Sequence, residues 1–410
     1  MSDSPVTKRK INFIYVDGER SPFSDIRGRA ALSYFERNWR RMAEVNPTYT
    51  NARAFSRMEI TDFTNTIWLD NVRDMVAVNA AAAAKIKNPE ISIIYALDEY
   101  VWEAPGGRAS VLADVRVVER AIEISDRLVV PNDVLSGVIK NVLGVIRDDM
   151  EIVVVPTFTS AEFFPTQASL IKSKANLGFT APKPKVLVKG VELPENVQKF
   201  IERNYKEMDI TISTICELSP KLVKHVNDGK VQHLRHWSNP DVNHSNALLG
   251  IARERDMRFD FTIVCKPEDL TGNFYEIALG DDDVLFAISS GSLPIAIADH
   301  VGYDKSSLYY ASGLCLSASC SADDIENTIK NNKHPDTWNL AMAKAIVAAQ
   351  NRIAGSTAFL GTYYRALVGN AAVEAESEFL NNAIKERQAA QAEADAKAEA
   401  DAKPKNVVQF

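Results

Sequence analysis

Short apolar runs of strand length alternate with helical segments along this chain, and the alternation stops once and then restarts. No other feature constrains the fold as strongly. A strand that reads as an unbroken apolar run has to be covered on both faces, as in a parallel sheet flanked by helices. ISIIYALDE is such a run. In the first round INFIYVD, TIWLDN, ISIIYALDE, RLVVPN and EIVVVPT read as strands. Between them, RAALSYFERNWRRMAEV sets Leu32, Phe35, Trp39 and Met42 at helical spacing, and DMVAVNAAAAAKIKN, ADVRVVERAIEISD and DVLSGVIKNVLG also read as helices, the last closed by Gly144. Around residues 157–184 the pattern breaks, with Pro165, Pro182 and Pro184 marking a linker.

The second round begins at KVLVKG and continues through the strands DITISTIC, VQHLRHW, FDFTIVCKP and LPIAIAD. ENVQKFIERNYKE, PKLVKHVND, NHSNALLGIARERD and VLFAISSG are its helices, and residues 321–368 read as helical up to Gly369. The expected organisation is a Rossmann-like domain over residues 1–160, a linker over 161–184, and a second Rossmann-like domain with crossing helices over 185–370. Residues 371–410, rich in Ala, Glu, Lys and Gln, form a polar tail expected to be disordered. The fold class is α/β, two Rossmann-like domains facing a cleft, with ligands expected at the carboxyl ends of the strands.

Composition narrows the function by exclusion. A net charge of -7 argues against a uniformly basic coat for nucleic acid, though a local basic face stays open. Cys216, Cys265, Cys315 and Cys320 make no C-x-x-C pair and read as reduced core thiols, without metal-ligand spacing. MSDSPVTKRK is not a secretion signal, and no apolar run reaches the length of a membrane span, so a soluble cytoplasmic protein is expected. No strand is followed by G-x-G-x-x-G, and neither a P-loop nor a G-x-S-x-G elbow occurs.

Several segments, in order, resemble GT-B glycosyltransferases, especially family 4-like enzymes of bacteria and phages. IIYALDEYVWEAP, with Asp98, Glu99 and Trp102, resembles a D-D-x-x-W loop after a central strand of the first domain. ISDRLVVPNDVLSGVIKN and EIVVVPTFTSAEFFP are similar to the strands that close that domain. FDFTIVCKP, FAISSGSLPIAIAD and SADDIENTIKN resemble a strand, the E-A-x-x-x-G-x-P-V donor element and the helix after it. The sequence departs from the pattern at Phe286, where the family carries an acidic residue, and at Asp283, where it often carries a basic one. One extra residue also stands between Gly291 and Pro294.

The resemblance implies transfer of a sugar from a nucleotide-diphosphate sugar to a hydroxyl acceptor, with no required metal or other cofactor. A glycan or small molecule is the first acceptor class. A hydroxymethylated base in viral DNA is an alternative, in the host cytoplasm, and a non-catalytic GT-B-like subunit is another. Asp98 and Glu99, at a strand's carboxyl end, are the candidate general bases; a structural cap on that loop is the other reading. Donor binding is expected from Lys189, Gly190, His236, Trp237, Lys266, Asp283, Ser289, Ser290, Gly291 and Ser292, with Lys189, Trp237, Lys266 and Ser290–Ser292 read as one cleft face. Gly291 also reads as a helix C-cap, and Asp281–Asp283 as a solvated helix N-terminus. Arg27, Arg29 and Trp102 are the acceptor-side candidates; Arg37, Arg40 and Arg41 extend the basic character that leaves DNA open as a partner.

Overall fold

A computed structural model describes residues 9–18, 43–97, 102, 115–133, 135–137, 139–140, 149–156, 158, 183–190, 193–214, 217–234, 259–265, 282–297, 308, 312–353 and 356–375. The chain forms two compact units, Met1–Tyr363 and Tyr364–Phe410, and both sheets belong to the first. In the second, Gly369 takes a positive φ of 87° and a short helical stretch follows over residues 370–375.

The first sheet contains β1 (Arg9–Asp17), β2 (Ala43–Asn51), β3 (Thr66–Asp70), β4 (Ser92–Ala96), β5 (Arg127–Val130) and β6 (Glu151–Val154). Its order is β2-β1-β3-β4-β5-β6, and every pairing is parallel. β3 is buried along its whole length, which is why its centre, Ile67–Leu69, is an unbroken apolar run between Thr66 and Asp70. Helices α1 (Ala52–Phe55), α2 (Met75–Lys87) and α3 (Val115–Ile124) accompany this sheet. In α2, alanine faces the sheet at Ala77, Ala81 and Ala84, so the helix packs close. Asp74 caps α2: its Oδ1 accepts from Val76 N–H at 2.8 Å, and Lys85 and Lys87 occupy the last turn, where the helix dipole favours cations.

One sequence expectation is corrected here. The helix read over RAALSYFERNWRRMAEV lies mostly outside the described residues, but its last three, Ala43, Glu44 and Val45, begin β2. β2 was not legible as a strand because AEVNPTYTN lacks a run of apolar residues and contains Pro47. An edge strand tolerates both: one side of it pairs with nothing among the described residues, and several of its residues are partly open to solvent.

The second sheet contains β7 (Lys185–Lys189), β8 (Asp209–Ser213), β9 (Gln232–His233), β10 (Phe261–Cys265), β11 (Leu293–Ile297) and β12 (Cys315–Leu316), in the order β12-β11-β10-β7-β8-β9. All of its pairings are parallel as well. The helices here are α4 (Glu195–Asn204), α5 (Pro220–Asn227), α6 (Asp282–Ser289), α7 (Ala322–Asn332), α8 (Pro335–Ala349) and α9 (Thr357–Val368). Each sheet carries its own buried apolar cluster, the first around Ile67, Ile93 and Leu128, the second around Val188, Ile212 and Ile263. The expectation of two Rossmann-like sheets is met.

α9 returns to the first sheet. Tyr363 stacks on Trp68 of β3, with ring centroids 6.1 Å apart and planes 14° apart. Phe359 meets Phe158 edge-on at 5.0 Å. Aromatic pairs in these offset and T-shaped geometries hold better than their buried area alone accounts for.

Strand order sets where ligands can bind. A crevice opens where successive connections leave a sheet in opposite directions. In the first sheet the chain runs from β1 to β2 and then crosses to β3 on the other side of β1, so that point lies between β1 and β3. In the second it lies between β7 and β10.

Gly18 follows β1 at the first of these points. Its N–H donates to the carbonyl of Asp70 at 2.9 Å, and a Cβ there would lie 2.3 Å from the carbonyl oxygen of Asn71. Only a glycine lets the two strand exits approach this closely. Gly18→Ala is expected to destabilise the protein by about 1–3 kcal/mol, as overpacking against unyielding backbone does. A chemical denaturation midpoint indistinguishable from that of the parent would refute it.

Candidate functional site

At the second switch point the last residue of β7 is Lys189. Its neighbours in register are Ser213 of β8 and Val264 of β10, so it stands at the carboxyl edge between covered strands. The side chain is only 1% exposed, and its Nζ lies 5.4 Å from the centroid of the Phe286 ring. Phe286 packs with Leu187 and Phe259 in a small apolar cluster on the same face of β7 as Lys189. Gly190, next in the chain, is buried and donates its N–H to the Ser213 carbonyl at 3.3 Å.

The end of α6 is resolved in detail. Gly291 has a φ of 75°, its N–H donates to the Ile288 carbonyl at 3.0 Å, and Ser292 N–H donates to the Ala287 carbonyl at 2.9 Å. These are the two bonds of a Schellman ending, with the left-handed residue a glycine because a Cβ is disfavoured there. The hydroxyls at this turn face inward. Ser290 Oγ donates to the Ala287 carbonyl at 2.8 Å, and Ser292, fully buried, accepts from Thr262 Oγ1 at 2.7 Å. Leu293 N–H then donates to the Asp260 carbonyl at 3.0 Å, just before β10.

This geometry corrects the grouping expected from the sequence. A helix that links two parallel strands runs back against them, so its C-terminal turn lies at their amino ends. Ser289, Ser290, Gly291 and Ser292 therefore stand at the amino edge, about 13–17 Å along the five-residue strands from the carboxyl edge. Lys189, Gly190 and the first turn of α6, which includes Asp283, stand at that carboxyl edge. The two sets do not share one face.

The first switch point gathers polar side chains that sequence reading passed over. Tyr15 OH donates to Asp70 Oδ2 at 2.6 Å, with both residues buried, and Asp17 pairs in register with Asp70. Burial first, then the adjacent Asp70 carboxylate, hold the Tyr15 phenol well above its ordinary pKa, so it is a fixed proton donor. After β3, Asn71 takes the left-handed conformation at φ 50°. Arg73, 7% exposed, donates from Nη2 to Asn71 Oδ1 at 2.7 Å and from Nη1 to Tyr95 OH at 3.3 Å. Their signal in the sequence was an Asp-Asn pair ending a buried strand, with an arginine two residues on, but nothing local shows that Tyr15 and Tyr95 come to the same edge.

Trp102 is held from α3: its indole N–H donates to Glu119 Oε1 at 3.1 Å, and the ring packs against the first core. Arg27, Arg29, Asp98, Glu99, His236, Trp237 and Lys266 lie outside the described residues, as does most of the linker. Among the described residues no group of three or more His, Cys, Asp or Glu could hold a metal ion, and no helix is long and apolar enough to cross a membrane. Cys265, Cys315 and Cys320 form no disulfide among the described residues; burial pushes Cys320 up to about 11, which keeps it protonated and a poor nucleophile near neutral pH. Cys320 lines a surface groove of about 290 Å³ between α4 and α7. The groove's charges pair with each other, Lys199 with Glu195 at 2.6 Å and Arg203 with Asp323 at 3.0 Å.

Two parallel six-stranded sheets with interleaved helices, each with its own switch point, make a GT-B fold of two Rossmann-like halves. The chain is similar over 87% of its length to sucrose-phosphate synthase from Thermosynechococcus elongatus, covering 99% of that chain at 12% identity with a TM-score of 0.56. It is similar over 88% of its length to a glycosyltransferase from Rickettsia africae, covering 99% of that chain at 11% identity with a TM-score of 0.54. A third similar structure is Anabaena HepE in complex with UDP and glucose, at 9% identity with a TM-score of 0.51, the match covering 87% of this chain and 99% of that one. No protein-family model and no curated protein sequence matches the chain.

Proposed function

We propose that this protein is a glycosyltransferase that moves a sugar from a nucleoside-diphosphate donor to a hydroxyl of a glycan or small molecule. The observation that carries the reading is Lys189, a buried cation at the β7/β10 switch point of the second sheet. Breaking the bond between the sugar and the diphosphate builds negative charge on the departing phosphate. A cation fixed in advance where that charge appears stabilises the transition state more than the ground state. Gly190, without a side chain, lets backbone approach the same phosphates. Uridine is the preferred nucleoside of the donor, on the likeness to HepE, whose structure holds UDP and glucose.

His236, Trp237 and Lys266 follow β9 and β10 in the chain and are assigned to the nucleotide, with Asp283 near the ribose. Arg27, Arg29 and Trp102 are assigned to the acceptor. Asp98 or Glu99, just beyond β4, takes the proton from the acceptor hydroxyl as its oxygen bonds to the anomeric carbon and the diphosphate leaves with the electron pair. In this reading side chains and amides, rather than a metal, neutralise the diphosphate. Residues 161–184 link the acceptor domain over 1–160 to the donor domain over 185–370, leaving 371–410 as a tail.

The test is a thermal-shift screen of the full chain against UDP, GDP, ADP and CMP. A ligand that binds only the folded state at 100 times its Kd stabilises by about 2.7 kcal/mol, which in a protein of this size raises Tm by roughly 3 °C. UDP is expected to give the largest rise. No rise with any of the four at millimolar concentration would overturn the proposal.

A further inference from the structure

We propose that Phe286 is a positioning residue of the donor site, acting through Lys189: the face of its ring holds the ammonium at the β7/β10 switch point. The inference rests on the donor reading above and extends it to a residue at which this chain differs from the pattern it resembles. An ammonium that is 1% exposed has given up nearly all of its water. The negative face of an aromatic ring offsets part of that cost and also gives the ammonium a direction. Lys189 Nζ lies 5.4 Å from the ring centroid, inside the roughly 6 Å over which this attraction acts.

The ring is itself fixed. Phe286 sits on α6, 8% exposed, against Leu187 and Phe259. Leu187 stands two residues before Lys189 on the same face of β7, so one apolar cluster sets both the strand end and the ring. An acidic side chain at this position would hold the lysine by charge, and would compete with the diphosphate for it. A phenylalanine orients the cation without bringing a negative charge of its own beside it. The ring thus contributes to binding of the diphosphate and not of the nucleoside.

The experiment compares Phe286→Leu, Phe286→Met and Phe286→Tyr with the parent for binding of UDP by calorimetry and of uridine by ligand-observed NMR, each variant first checked for a cooperative thermal transition. Leu and Met keep an apolar side chain but lose the ring face; Tyr keeps it. Phe286→Leu and Phe286→Met are expected to weaken UDP by roughly 2- to 30-fold, the span of cation–π contacts from exposed to desolvated, with uridine unchanged and Phe286→Tyr close to the parent. In a Lys189→Met background, Phe286→Leu should have no further effect on UDP, because the partner through which it acts is gone. Equal weakening of UDP and uridine, or additive losses in the double variant, would reduce Phe286 to a packing residue and overturn the inference. Undiminished UDP binding by both Leu and Met variants would overturn it too. A parent protein that binds no nucleoside diphosphate would instead sink the donor reading, and this inference with it.

Discussion

Lys189→Met is expected to lower turnover with a sugar-nucleotide donor by about 100- to 1000-fold, the loss typical of removing one fixed group that stabilises developing negative charge. Methionine reproduces the length and flexibility of the lysine stem while deleting the ammonium, so the change isolates the charge. The effect should fall mainly on turnover, because the charge on the leaving diphosphate is greater in the transition state than in the bound donor. Steady-state assay of UDP release checks this, with the melting temperature recorded in parallel to separate chemistry from folding. Turnover within a few-fold of the parent, in a variant that melts normally, would mean that Lys189 is only a buried structural cation. The donor site would then have to be sought elsewhere.

Trp68→Ala is expected to cost about 3–5 kcal/mol, the usual loss on emptying a buried aromatic site. Trp68 is 2% exposed, lies beside Tyr15 at 6.5 Å between ring centroids and is stacked by Tyr363. Deleting it leaves α9 without the surface on which Tyr363 rests. Trp68→Phe should behave differently. The indole Nε1 is buried with no hydrogen-bond partner among the described residues, so phenylalanine removes volume but also removes an unsatisfied donor. Its cost is expected to stay below about 1.5 kcal/mol, as for well-tolerated apolar swaps. Chemical denaturation followed by circular dichroism distinguishes the two, since a fluorescence probe would change with the tryptophan itself. Equal losses for Ala and Phe would show that the ring system, and not its packing against Tyr363, was misjudged.

Those two residues differ in how far they could be read in advance. Lys189 was legible because KVLVKG ends an apolar strand with a charge followed by a glycine, and that placement at a strand's carboxyl end holds. Trp68 carried no sign of its partner, since Tyr363 lies almost 300 residues further along the chain. Ser289–Ser292 show the opposite failure. Gly291 was readable as a helix cap, and the Schellman bonds agree, but that cap puts the serines at the amino edge, away from Lys189.

By itself the sequence determined that two α/β sheets would form, and roughly where most of the strands and helices lie, because strand and helix periodicities are local and a strand covered on both faces has to be largely apolar. β2 and the two-residue β12 escaped it: an edge or very short strand buries too little to leave such a pattern. Only the tertiary structure decided the strand order, and with it the two switch points. Only that order brings Tyr15 to Asp70, Arg73 to Tyr95 and Lys189 to Phe286. Each of these pairs joins elements that different strands and crossovers carry to one edge, and no residue's local periodicity encodes which edge a distant partner will reach.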